Sequence, residues 1–178
     1  MGVSLRSASF VAFCLVALAN CVHAQDPKPK VPLDFSNDPC GNPLVESQLW
    51  LVVEGSVYQV PDGQTVVVSL KDKRMLRVRI AGISVKSSDA TAAKAKELLS
   101  QFLGKPVEIL VNTDWNDEKQ KPSKVTAVVG DFGYLLLSKG LARYHEPRQY
   151  TMSSYSTCQY RQAEAQARTA KLGIWAQN

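Results

Sequence analysis

The chain has 178 residues, 21 basic and 16 acidic, for a formal net charge of +5. That length fits one domain, and an apolar share of 45% without repeats or biased tracts excludes collagen-like, low-complexity and wholly disordered chains. The mild positive balance permits polyanion binding without requiring it.

Residues 1–24 read as a secretory signal peptide. Arg6 supplies the positive start, residues 10–19 (FVAFCLVALA) a short apolar run, and Val22-His23-Ala24 a small-x-small cleavage site. The run is short for a bilayer span, so no transmembrane segment is expected in the mature chain. Leu18-Ala19-Asn20-Cys21 also resembles a lipobox, which leaves a lipid anchor at Cys21 as an alternative. Met1-Gly2 is no myristoylation start, because Arg6 stands where Ser or Thr is needed. Export implies a secreted or periplasmic protein. Cleavage after Ala24 removes Cys14 and Cys21 and leaves Cys40 and Cys158. An even pair in an exported chain favours a disulfide.

Residues 25–33 (QDPKPKVPL) alternate proline and lysine and read as an extended leader. Residues 34–43 carry turn chemistry, and the leader and arm together run over 25–48, ahead of a domain at 49–178. Residues 49–60 read as a first strand, with Pro61-Asp62-Gly63 as a turn, and 65–70 as a second. Residues 75–83 read as a third, with Leu76, Val78 and Ile80 on one face and Arg77 and Arg79 on the other. The period then lengthens to that of a helix. Ser88 or Asp89 would cap a helix starting near Ala90, Ala95, Leu98, Leu99, Phe102 and Leu103 would form its apolar stripe, and Gly104 would end it. Strands follow at 106–112 and 124–129, separated by a polar loop at 114–122. A short helix is expected at 134–139, stopped by Gly140. A last Ala-rich helix would be capped by Ser156 or Thr157 and stopped by Gly173, with Ile174-Trp175 as an apolar anchor. The order β-β-β-α-β-β-α-α is that of an α+β protein built on an OB-type barrel, although periodicity alone does not separate it from other small α+β folds.

The motifs Gly55-x-Val57, Val60-Pro61-Asp62-Gly63-Gln64-Thr65 and Arg77-Val78-Arg79-Ile80-Ala81-Gly82-Ile83 resemble the staphylococcal-nuclease-like (thermonuclease) family. Leu103-Gly104-Lys105-Pro106-Val107, Lys139-Gly140-Leu141-Ala142, Ala163-Glu164-x-x-Ala167-Arg168 and Gly173-Ile174-Trp175 continue the resemblance in family order, so that it covers about residues 50–176. It implies a five-stranded OB-fold barrel with three helices and, in active members, calcium-dependent phosphodiester hydrolysis. That chemistry needs carboxylates to hold a hard cation, a carboxylate to act on water, and guanidinium groups for the phosphate.

Carried over position by position, the resemblance assigns Asp62 to the first aspartate of its D-G-D-T motif and Gln64 to the second, a metal ligand. Ser84 takes the place of the other ligand aspartate and Ser87 that of the glutamate that acts on water. Arg79 retains the phosphate-binding arginine, and Lys124 replaces the second catalytic one, keeping charge without the bidentate fork. Three carboxylates are thus replaced together, by one amide and two hydroxyls. No cofactor is expected by this reading; calcium is expected only if Asp62 and Asp89 stand in for the lost groups. Otherwise Asp62 is a turn residue and Asp89 a helix cap. Lys86 would put positive charge where the metal lay.

His145 is the lone histidine of the mature chain and, with Cys40 and Cys158 paired, lacks zinc partners. Ser84, Ser87 and Ser88 lack a base that would make a nucleophile. Arg143, Tyr144, Arg148, Tyr150, Tyr155, Tyr160 and Arg161 interleave charge and aromatic rings; they either line a nucleic-acid surface or pack the last helix. By resemblance, Tyr144 is the counterpart of the family's pocket tyrosines, and Arg77, Arg79 and Tyr144 are the candidate ligand-binding set. Trp50, Trp115 and Trp175 read as anchors. The leading expectation is an exported binding module without metal-dependent cleavage, with single-stranded nucleic acid, another polyanion or a protein as partner. A divergent calcium-dependent nuclease and a structural envelope protein are the alternatives.

Overall fold

The computed structural model describes residues 36–45, 49–86, 90–112, 124–147 and 151–176. They belong to a compact unit, Asp34–Asn178; a separate unit, Met1–Leu33, lies outside the described residues, as do the signal-peptide and lipid-anchor readings. Among the described residues no helix is long and apolar enough to cross a membrane.

Five strands close into a barrel in the order β1-β2-β3-β6-β5: β1 (Trp50–Asp62), β2 (Thr65–Leu70), β3 (Met75–Ile80), β5 (Pro106–Asn112) and β6 (Lys124–Val129). Every ladder is antiparallel except β3–β6, which is parallel. Strand alternation supplies the core directly. Val66 and Val68 of β2, Val78 and Ile80 of β3, Ile109 of β5 and Val129 of β6 point inward and are almost completely buried. On β3 the alternate residues Met75, Arg77 and Arg79 stay outside and exposed. β1 bends through two register shifts, between Val57 and Gln59 and between Gln59 and Asp62, which lets one long strand serve both β5 and β2.

Three helices dress the barrel. α1 (Ala90–Ser100) packs on β1 through Ala95 and Leu99, and α2 (Phe132–Ser138) packs on α3 (Ser154–Thr169) through Leu136, Leu137, Tyr160 and Ala163. A final 3-10 turn, Gly173–Trp175, buries Trp175. Gly140 and Gly173, both at positive φ, meet backbone to backbone, and the Gly140 carbonyl accepts the Ile174 N–H at 2.9 Å. The arm is fixed by the disulfide Cys40–Cys158, with Cα atoms 5.5 Å apart, and by the Tyr155 hydroxyl, which donates to Asp38 Oδ2 at 2.8 Å.

The barrel with three helices is the architecture expected of the sequence, and several boundaries differ for local reasons. β1 runs on through Asp62, so the turn is Gly63–Gln64. The expected third strand is two: Ala81-Gly82 turns, with Gly82 at φ +69 and Met152 and Tyr160 crowding the space a Cβ would take, and β4 (Ile83–Ser84) leaves the barrel to pair with β7 (Arg143–Tyr144). α2 starts at Phe132, two residues early. The cap of α3 is Ser153, whose Oγ accepts the Ser156 N–H at 3.1 Å, rather than Ser156 or Thr157. α3 ends before Lys171, itself left-handed at φ 53, so Gly173 opens the 3-10 turn instead of stopping the helix. Leu103 is largely exposed rather than part of the α1 stripe. Ser88 and Asp89 as caps, the 114–122 loop and Trp115 lie outside the described residues.

Candidate functional site

The outer face of β3 and its two neighbours places the site. β3 register sets Arg79 between Thr65 of β2 and Thr126 of β6, and Arg77 between Val67 and Lys124. Both arginines point out because the alternate, inward positions of β3 are taken by Leu76, Val78 and Ile80. Asp62, Thr65, Arg77, Arg79, Val125 and Thr126 line a cleft of about 330 Å³. Arg79 and Thr126 also border an adjoining cleft of about 390 Å³ walled by Gly82, His145, Glu146 and Thr151. A larger hollow of about 1230 Å³ is lined by Leu70, Phe102, Val107 and Phe132, with Glu54, Glu108, Asp131 and Lys71 among its polar residues. It holds neither arginine, and we place the chemistry at the charged cleft despite its smaller size.

The Gly63–Gln64 turn brings Gln64 onto the end of β3. Asp62 Oδ1 accepts the Gln64 N–H at 2.9 Å, the capping hydrogen bond of an Asx turn, and the Gln64 carbonyl accepts the Ile80 N–H at 2.9 Å. The Gln64 side-chain oxygen then accepts from Arg79 Nη2 at 3.1 Å and from the Val85 N–H at 3.3 Å. Two donors therefore converge on one amide oxygen, and the guanidinium is held in a fixed direction with its other N–H groups left for a ligand. Ser84, one residue before Val85, is half-buried in the two-residue β4–β7 ladder opposite Arg143. Ser87 and Asp89 lie outside the described residues, and Lys124 is placed only by its backbone, opposite Arg77.

Among the described residues this donor set does not fit calcium. A hard dication wants six to eight oxygens, several of them carboxylate. Here the Gln64 oxygen faces two N–H groups, one Asp62 oxygen is committed to the turn, and Ser84 offers a neutral hydroxyl. Among the described residues no three His, Cys, Asp or Glu side chains gather where they could hold a metal.

Tyr144 does not join the Arg79 cleft as a free ring. Its N–H donates to Glu164 Oε1 at 3.0 Å and its hydroxyl to Glu146 Oε2 at 3.0 Å, while the Arg161 guanidinium sits 5.3 Å from its ring centre and pairs with Glu146 at 2.8 Å. Arg161 first, and then the Tyr144 hydroxyl, hold the Glu146 carboxyl below its usual range; burial, and then Glu146, raise the Tyr144 phenol. Tyr160 is deep in the α2–α3 contact, Tyr155 holds the arm, and Tyr150 and Arg148 lie outside the described residues. The packing reading of the aromatic stretch therefore applies to Tyr155 and Tyr160. Arg143 lies 4.4 Å and Arg168 4.2 Å from the Trp175 ring centre, so Trp175 is an anchor under two cations.

Sequence reasoning missed Thr65 and Thr126, which flank Arg79, and the position of His145 beside the second cleft. Strand register was the signal for the threonines, since both pair with Arg79 on strands already expected, Thr126 exposed and Thr65 covered to 6% exposure. The His145 N–H donates to the Gly82 carbonyl at 3.0 Å, a contact that continues the β4–β7 pairing and has no periodic trace in a two-residue strand. A model of the family described as staphylococcal nuclease homologue matches residues 77–177. No curated protein matches the chain.

Proposed function

Because the chain belongs to the staphylococcal nuclease homologue family, we propose that it is an exported member that binds a polyanion, nucleic acid foremost, without cutting it by the metal-dependent route. The observation that carries this reading is the Gln64 side chain. Its oxygen is bonded to Arg79 and to the Val85 N–H, so the place of a metal carboxylate is taken by a neutral group that instead steers the guanidinium. Arg79 and Arg77, exposed together on one strand, supply the charge that an anionic chain needs. The disulfide Cys40–Cys158 favours an oxidising compartment, in keeping with export.

Purified mature protein is expected to leave single- and double-stranded DNA intact in millimolar calcium while an active family member digests both. Calcium titration by calorimetry is expected to give no heat. Robust calcium-dependent cleavage that Arg79→Ala abolishes would sink the reading and favour the divergent nuclease. Restoring the carboxylates together, as Gln64→Asp, Ser84→Asp and Ser87→Glu, is expected to create calcium binding and cleavage at least tenfold above the parent. Lys124 in place of arginine should keep that activity modest.

A further inference from the structure

We infer that the cleft reads two consecutive phosphates, one at Arg79 and one at Arg77, so that Arg77 forms a second phosphate subsite. This deepens the polyanion-binding reading and rests on it. Arg77 and Arg79 are alternate residues of β3 with both side chains outward and exposed, lining one cleft. Alternate residues of a strand stand about 6.6–6.8 Å apart, a length comparable to one sugar–phosphate repeat of an extended single strand. The Arg77 side chain has no hydrogen-bond or ion-pair partner among the described residues, whereas exposed Arg74, Arg161 and Arg168 are each paired to a carboxylate. An exposed arginine left unpaired beside a tethered one keeps its whole donor fork for an oxyanion.

The surroundings support a chain running along β3. Among the described residues Asp62 is the one acidic side chain lining the cleft, and it accepts the Gln64 N–H in its turn. Lys124 opposes Arg77 in the parallel ladder, while Arg79 is flanked by exposed Thr126 and by buried Thr65. The two rows differ accordingly. The Arg79 row has a guanidinium tethered to Gln64 with exposed Thr126 beside it, suited to holding one phosphate in place. The Arg77 row has Val67 on one side and the backbone of Lys124 on the other, and the exposed Arg77 guanidinium is suited to a neighbouring phosphate held by charge.

The test is fluorescence anisotropy of the mature protein with fluorescein-labelled oligothymidylates of two, three and eight residues, which carry one, two and seven internucleotide phosphates. Affinity is expected to rise about tenfold from the two-residue to the three-residue ligand. Arg77→Ala is expected to remove that step, to leave the two-residue ligand within twofold of the parent, and to flatten the salt dependence for the eight-residue ligand by about 0.7 in the slope of log K against log salt. Arg77→Lys should restore part of the step. Arg77 is exposed, so circular dichroism of each variant should match the parent. Equal weakening of all three ligands by Arg77→Ala, or no weakening, overturns the inference while leaving polyanion binding standing. Failure of the parent to bind either the eight-residue ligand or heparin overturns the proposed function itself. Tighter binding to heparin than to the eight-residue ligand, lost in Arg77→Ala, overturns the phosphodiester assignment in favour of a sulfated polysaccharide.

Discussion

Replacing Cys40 and Cys158 together by serine is expected to lower the unfolding free energy by about 4–5 kcal/mol, the chain-entropy value for so long a loop. For a chain of this size that is a fall in Tm of roughly 10–20 °C. The 118-residue separation of the two cysteines means that the bridge restrains nearly the whole unfolded domain. In the folded state it acts on a short arm whose other fixings include the Tyr155–Asp38 hydrogen bond and the Asx turn in which Asp38 Oδ1 accepts the Cys40 N–H at 2.8 Å. Scanning calorimetry of the double-serine variant against the oxidised parent measures the effect. A fall of less than about 3 °C would mean that the unfolded chain is already compact or that native strain offsets the restraint. Tyr155→Phe should cost less, about 2 kcal/mol, because it removes two hydrogen bonds, one donated to Asp38 Oδ2 and one accepted from Gln159 Nε2 at 2.9 Å.

Gly140→Ala is expected to cost about 3 kcal/mol or more, with Gly173→Ala close behind. Both glycines have positive φ, at +63° and +54°, where a Cβ is already strained by about 1–2 kcal/mol. Each Cβ would also run into rigid backbone: the Leu172 carbonyl for Gly140, and the Gly140 carbonyl for Gly173. Neither neighbour is a flexible side-chain end that could swing away. The contact joins the end of α2 to the last turn and supports Trp175 under Arg143 and Arg168, so relief by separation would loosen the whole C-terminal corner. Urea denaturation monitored by tryptophan fluorescence gives the cost. Little change for either alanine would show that the corner can open without penalty.

Most of the barrel could be read because its strands alternate cleanly: the inward residues of β2, β3 and β5 are the apolar ones, and the outward arginines of β3 stand where the pattern puts them. What escaped was set by tertiary contacts. β4 and β7 are two residues long, too short to show a period, and exist because Gly82 turns the chain toward Arg143 and Tyr144. The α3 cap fell to Ser153 because several hydroxyl residues in a row offer the same local chemistry, and only the fold selects among them. At the site, the residue types at positions 62, 64, 79 and 84 were plain in the sequence. That Gln64 binds Arg79 was not, since it depends on a bent β1 delivering the turn onto the end of β3.

The parallel β3–β6 ladder carries a kinetic consequence. β1, β2 and β3 are joined by tight turns and can zip up through local contacts, whereas β6 must arrive from far along the chain to make the one parallel seam. Thr126 and Lys124 reach Arg79 and Arg77 only when that seam closes. In refolding, capture of an anionic strand should therefore appear with the slowest productive phase, making ligand uptake a clock for barrel closure.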